Sequence, residues 1–196
     1  MSGFDEVIRR LDDDLGDLGA KWALVGGLAV SVWTEPRFTR DVDVAVAVES
    51  DAEAERVVRS LLATGYRVLA TIEQEATGRL AAIRLTPVGG EASGVVVDLL
   101  FASSGIESEV VTSSQRRQIV SGLSVPVARA GHLMALKLLA RDDATRPLDI
   151  ADLVALRDVA DEHELEEARQ AVQLITERSY NRGRNLGAAL AALLDS

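Results

Sequence analysis

Apolar residues recur at three- and four-residue spacing over positions 3–18, where Phe4, Val7, Ile8, Leu11, Leu15 and Leu18 share one face and Asp and Arg fill the other. That period predicts an amphipathic helix, ended at Gly16 and Gly19. A short apolar run at 22–25 then meets Gly26-Gly27 and a second run at 28–33, which reads as strand, glycine turn and packed helix. Positions 41–48 alternate with period two, the mark of a strand. Positions 51–64 return to helical spacing through Ala54, Val57, Val58, Leu61 and Leu62, with Asp51 at the cap and Gly65 as the stop.

Three more strands are predicted at 66–70, 79–86 and 95–101, followed by a short helix or loop near 104–111 and a hairpin of 118–120 and 123–127 turning at Ser121-Gly122. From Gly131 onward the pattern is helical, over 132–141, 148–158 (led in by Pro147), 165–178 and 186–194. The class is α/β: a mixed sheet flanked by helices over 1–128, then a helical domain over 129–196 that closes a cleft against it. No linker is long enough to make the halves independent, so they share an interface.

The 196 residues are 47% hydrophobic and 27% charged, with 4 Pro and 15 Gly, a balance that excludes disordered and fibrous classes. With no cysteine and 2 histidines there is no disulfide framework, thiol nucleophile or thiolate metal site, so a metal here must be held by carboxylates. No window approaches the roughly 20 apolar residues of a membrane span, and the N-terminus lacks a signal-peptide pattern; a cytoplasmic location follows as the expectation. The net charge of -10 argues against a broad nucleic-acid-binding surface while leaving room for a local basic groove. Lys21 and Lys137 are the only lysines.

Asp41 and Asp43 lie one residue apart in a strand pattern, so their side chains leave the same face about 7 Å apart. They form either a solvated acidic strand start or a site where a divalent cation bridges carboxylates and phosphate oxygens. Two further features bear on that choice. Gly26-Gly27 stands at a strand-to-helix turn, where backbone N–H groups approach a phosphate. Asp98, flanked by 95–97 and 99–101 in a run apolar enough for a central strand, needs a partner or a metal.

Gly26-Gly27, Asp41-Val42-Asp43 and Asp98 together resemble the DNA polymerase beta-like nucleotidyltransferases. Arg37-Phe38-Thr39-Arg40-Asp41-Val42-Asp43 resembles more closely the Arg-x-Thr-x-Asp-x-Asp segment of the AbiEii/MenT-type nucleotidyltransferase toxins, and Lys137 and Asp152 match that group's later lysine and aspartate motifs. The resemblance runs over about 22–157. It implies a metal-dependent enzyme that transfers a nucleoside monophosphate from an NTP to the 3′ acceptor end of tRNA, and a cognate antitoxin. It implies two Mg²⁺ ions on Asp41, Asp43 and Asp98, with Asp98 as base or shared ligand. Gly26, Gly27, Arg37, Thr39 and Lys137 then bind nucleotide, and the catalytic set is Asp41, Asp43, Asp98, Lys137 and Asp152. Thr39 is a candidate phosphorylation site for control by the antitoxin. The competing readings are transfer to a protein hydroxyl or small molecule, and a non-catalytic binding protein of the same fold.

Read from its own neighbours, Lys137 sits in an apolar helix and is either drawn into a cleft to hold triphosphate or paired structurally with Asp152. Asp149 and Asp152 share one helix face and can pair with Arg141 or Lys137, a structural role being preferred for Asp149. Arg37 and Arg40 either meet phosphate or offset the acids. Arg178, Tyr180, Arg182 and Arg184 form a basic-aromatic cluster that either binds RNA or is a helix end favoured by the helix dipole. His132 and His163 read as capping or surface residues, and Trp22 and Trp33 as core.

Overall fold

The computed structural model describes residues 3–35, 41–74, 78–87, 94–141 and 148–195. In chain order the elements are α1 (Gly3–Asp17), β1 (Lys21–Val25), α2 (Gly26–Trp33), β2 (Asp41–Ala47), α3 (Asp51–Ala63), β3 (Arg67–Glu73), β4 (Leu80–Thr86) and β5 (Val96–Leu100). There follow α4 (Glu107–Ser113), β6 (Gln115–Val120), β7 (Leu123–Val127), α5 (Ala130–Ala140), α6 (Leu148–Val159), α7 (Glu162–Glu177) and α8 (Leu186–Leu194). The strands form one seven-stranded sheet in the order β3-β4-β5-β2-β1-β7-β6. It is mixed: β2 runs parallel to β5 and β1 to β7, and the other neighbours are antiparallel.

Cap chemistry moves the start of α7 from the one the periodicity predicts and changes the residue that caps α3. The Asp161 side chain accepts from the Glu164 N–H at 2.8 Å, so α7 starts ahead of its first apolar position. Ser50, not Asp51, caps α3, accepting from the Glu53 N–H. Asp51 instead ties α3 to the start of β4, accepting from Arg79 Nε at 3.1 Å and the Leu80 N–H at 3.3 Å.

One buried apolar cluster runs from Val7, Leu11 and Leu15 on α1 through β1, β2 and β5 to Leu133, Met134 and Leu138 on α5 and Leu190 on α8. The C-terminal helices therefore share the core of the sheet. Among them α5 is central, apolar nearly all round and buried along its length. It crosses α7 so closely that a Cβ on Gly131 would lie 2.3 Å from the Glu164 carbonyl oxygen. At that crossing Glu164 Oε2 accepts from the Gly131 N–H at 2.7 Å while its Oε1 meets Arg129 Nη2 at 2.9 Å, which caps α5 from α7. His132 is buried in the same seam, contrary to a surface placement, with Nδ1 3.1 Å from Ser113 Oγ. Burial pushes it down to about 4, so it is neutral. Among the described residues no helix is long and apolar enough to cross a membrane.

Candidate active site

The end of β1 and the middles of β2 and β5 meet at one place because of strand register. Val25 pairs with Asp43, and Asp43 pairs with Asp98. Val42 and Val44, on the opposite face of β2, are fully buried in the core. That burial fixes the register and turns Asp41 and Asp43 outward. Asp41 is exposed and Asp43 half-buried.

Gly26 follows β1 directly at φ +66°, and a Cβ there would lie 1.9 Å from Asp43 Oδ2. Only glycine fits, since both the left-handed backbone and the space exclude a side chain. The chain then enters α2, whose N-cap, Val25, makes no side-chain capping bond. The N-terminus of α2 therefore stands beside Asp43.

These groups line a cleft of about 480 Å³ between the sheet and α5, together with Arg84, Ser103, Ser104, Lys137 and Arg182. A larger groove of about 830 Å³ between α7 and α8 holds none of the predicted acids, so the smaller cleft is the candidate active site.

Arg84 stands opposite Asp98 in the β4–β5 ladder and grips both its oxygens, Nε to Oδ1 at 2.8 Å and Nη2 to Oδ2 at 2.7 Å. These hydrogen bonds, the Asp98 charge and the further fields of Asp41 and Asp43 outweigh partial burial and hold Arg84 above the usual guanidinium value. The buried-strand acid thus has an arginine partner, which sequence reasoning missed. An arginine inside the otherwise apolar 80–85 run is its one signal.

Asp98 is turned to Arg84, and among the described residues no three His, Cys, Asp or Glu side chains gather with metal-holding geometry. Asp41, Asp43 and Asp98 nevertheless line the same cleft. The donors still suit Mg²⁺, which takes one or two carboxylates together with substrate phosphate oxygens rather than an all-protein cage.

Lys137 is buried, and its Nζ meets Asp149 Oδ1 and Asp152 Oδ2, each at 2.7 Å. Both acids come from α6, buried on the turn that faces α5. Lys137 also lines the cleft, whereas Asp149 and Asp152 stand behind it. Asp152, expected among the catalytic residues, is placed behind Lys137 as its ion-pair partner.

Tyr180 corrects the reading of 178–184 as a base-stacking platform, because its ring is buried against Gly105, where a Cβ would lie 2.6 Å from Tyr180 Cδ2. The arginines around it staple the chain after α7 to other segments. Arg178 donates to Glu109 Oε1 at 2.6 Å and to the Gly105 carbonyl, and Arg184 donates to the Arg141 carbonyl. Arg182, in the left-handed region at φ +53°, donates to the Ser103 carbonyl at 3.2 Å, and it alone of the three lines the cleft. Below it Glu107 accepts from the N–H groups of Ser103 and Ser104, which fixes the loop after β5. Arg37 and Thr39 lie outside the described residues.

A family profile described as the nucleotidyl transferase AbiEii toxin of a type IV TA system matches residues 9–195. Among solved structures, an antigenic nucleotidyltransferase-like protein from Paracoccidioides brasiliensis superimposes with a TM-score of 0.54 at 20% identity, over 98% of this chain and 94% of that one. The antibiotic-resistance factor ANT(2″)-Ia superimposes with a TM-score of 0.50 at 16% identity, over 95% of this chain and 90% of that one. At such identities the likeness is one of fold. No curated protein matches the sequence.

Proposed function

The chain belongs to the AbiEii nucleotidyltransferase toxin family, and we propose that it transfers a nucleoside monophosphate from an NTP to the 3′ acceptor end of a tRNA in the cytoplasm, with a cognate antitoxin as its control. The observation that carries the reading is the row Val25, Asp43, Asp98 and Arg84 across four adjacent strands, with Gly26 next to Val25, facing Lys137 over one cleft.

In this reading Asp41 and Asp43 hold Mg²⁺, which supplies neutralisation of the triphosphate and polarisation of the reacting phosphorus. The N–H groups at Gly26 and Gly27 take phosphate oxygens, and Arg37 and Thr39 belong to the same nucleotide subsite. Lys137, held by Asp149 and Asp152, faces the triphosphate with its remaining donor. The acceptor hydroxyl gives its proton to Asp98 and bonds the α-phosphorus. The bond from that phosphorus to the bridging oxygen breaks, and pyrophosphate leaves. Arg182 at the cleft rim meets the RNA backbone. Phosphorylation of Thr39, two residues before Asp41, would add about -1.5 to -2 charge beside the acids and shut the site.

A second reading, transfer to a small-molecule or protein hydroxyl, is favoured by the net charge of -10 and by the burial of Tyr180, which removes a base-stacking surface. The test offers each α-labelled NTP with Mg²⁺ to total tRNA, to a protein extract and to a panel of hydroxylated antibiotics, with Asp41→Asn as control. Label on tRNA, abolished in the control, is the expected result. Asp41 is exposed, so the variant keeps its fold. Label confined to protein or antibiotic selects the second reading, and no label on any acceptor overturns both.

A further inference from the structure

The two edges of the sheet are built differently. The β6 edge carries Gln115, Arg116, Arg117 and Gln118, and α1 reaches it through Asp12 to Arg116 and through Arg9, which donates to the Ser121 carbonyl at 2.8 Å. Charges and a covering helix are the usual means of blocking a sheet edge. At the other edge all seven residues of β3 are exposed, and Val68, Leu69 and Ile72 are 44%, 55% and 57% accessible. A strand of that kind presents a backbone edge together with apolar side chains, which is what a further strand needs.

We propose that the occupant is β3 of a second copy of this chain, paired antiparallel about a two-fold axis at Ala70, so that two seven-stranded sheets become one. The segment Arg67-Val-Leu-Ala-Thr-Ile-Glu73 is complementary to its own reverse. With Ala70 on the axis, Arg67 stands opposite Glu73 of the second copy, Val68 opposite Ile72, and Leu69 opposite Thr71. Arginine and glutamate then meet at both ends of the interface, and Val68 and Ile72 form its apolar pairs. Parallel pairing in the same register would set Arg67 on Arg67 and Glu73 on Glu73. A shift of the axis by one residue leaves Glu73 without its arginine. The ladder from β3 to β4 is irregular at Val68–Ala70 and Ile72–Glu73, which sharpens the twist of the strand. A two-fold axis gives both copies the same irregularity and the same twist.

The pairing has a consequence for the cleft. Ala70 is in register with Arg84, and Arg84 with Asp98. Antiparallel strands of one sheet are related by an axis normal to it, so both clefts open on the same face of the joined sheet.

The test is sedimentation of the full chain over a concentration series from about 1 to 200 μM, with transfer activity not required as a readout. The expected species is a dimer of twice the 20.9 kDa chain. Arg67→Glu and Glu73→Arg each place two like-charge pairs in the interface and are expected to raise the dimer dissociation constant at least about 10-fold, and the double reversal to restore it. Both positions are exposed, and unchanged melting temperatures keep the comparison clean. A monomer throughout the series overturns the proposal, as does a dimer indifferent to the single reversals or not rescued by the double. A monomer that takes up only a co-expressed antitoxin at β3 also overturns it, and assigns the edge to a foreign strand.

Discussion

Arg84 and Asp98 face each other across β4 and β5 in a two-point pair at 2.8 and 2.7 Å, and the same guanidinium feels the charges of Asp41 and Asp43. A planar fork on a carboxylate fixes both position and orientation, which an ammonium does not. Arg84→Lys is therefore expected to lower kcat on the order of 10- to 100-fold, the worth of one well-placed charged hydrogen bond, with the nucleotide KM little changed. Steady-state transfer with labelled NTP decides it. A kcat equal to the parent's means that Asp98 does not depend on its arginine.

Gly26 and Gly19 share a left-handed backbone, at φ +66° and +61°, but differ in surroundings. A Cβ at Gly19 meets nothing within 4 Å, whereas one at Gly26 strikes Asp43 Oδ2 at 1.9 Å. Gly19→Ala should cost about 1–2 kcal/mol of stability and leave transfer intact, since only the backbone is strained. Gly26→Ala should add to that cost the displacement of Asp43 and so lose transfer. Thermal melts and transfer rates of the two variants separate the effects, and a fully active Gly26→Ala would contradict the close approach.

Lys137 is the cation of a buried triad in which two carboxylates meet one ammonium. Removing one partner of a buried pair leaves charge uncompensated, so Lys137→Met should destabilise the fold by about 3–5 kcal/mol. The triple variant Lys137→Met, Asp149→Asn, Asp152→Asn removes the stranded charges and should recover much of that loss while transfer stays absent. Recovery of both stability and transfer would confine Lys137 to a structural role. Chemical denaturation and activity per folded molecule provide the two readouts.

What could be read from the chain alone follows the range of the interactions. Asp41, Asp43 and Gly26 were legible because a strand period and a strand-glycine-helix turn are local, and α8 falls on the residues its periodicity predicts. Arg84 was not, because its partner is set by the β4–β5 register. Tyr180 reads as part of a basic-aromatic cluster, yet it is buried because Gly105 leaves room for its ring. His132 reads as a capping or surface residue in the sequence, and the packing of α7 on α5 buries it. Sequence spacing names the face a residue points to; the packing of distant elements decides whether that face is wet.

That seam between α5 and α7 also gives the protein a pH-dependent stability. Glu167 lies near Arg129, with Nε 3.3 Å from its Oε2, near Glu164, and near His132, whose Nδ1 is 3.4 Å from Oε1. Burial is the largest influence on Glu167 and pushes it up to about 7, Arg129 opposing and Glu164 adding to the push. The folded protein keeps a proton that the unfolded chain, at its ordinary 4.5, gives up between pH 4.5 and 7. Stability from this group is therefore full below about pH 4.5 and falls as pH rises through 7. His132 works the other way: depressed to about 4 from 6.5, it withdraws stability as pH falls through that window. Below about pH 6.5 the two oppose each other, and between 6.5 and 7 only the Glu167 slope remains of the pair. Glu167→Gln keeps the shape of the side chain and cannot ionise. Its stability relative to the parent should thus climb between pH 5 and 8, by about 1–2 kcal/mol once solvent screening is allowed for. Urea midpoints at pH 5, 6, 7 and 8 measure the difference. A constant offset would mean that Glu167 ionises normally in the fold, and a falling one would mean that Arg129, rather than burial, governs it.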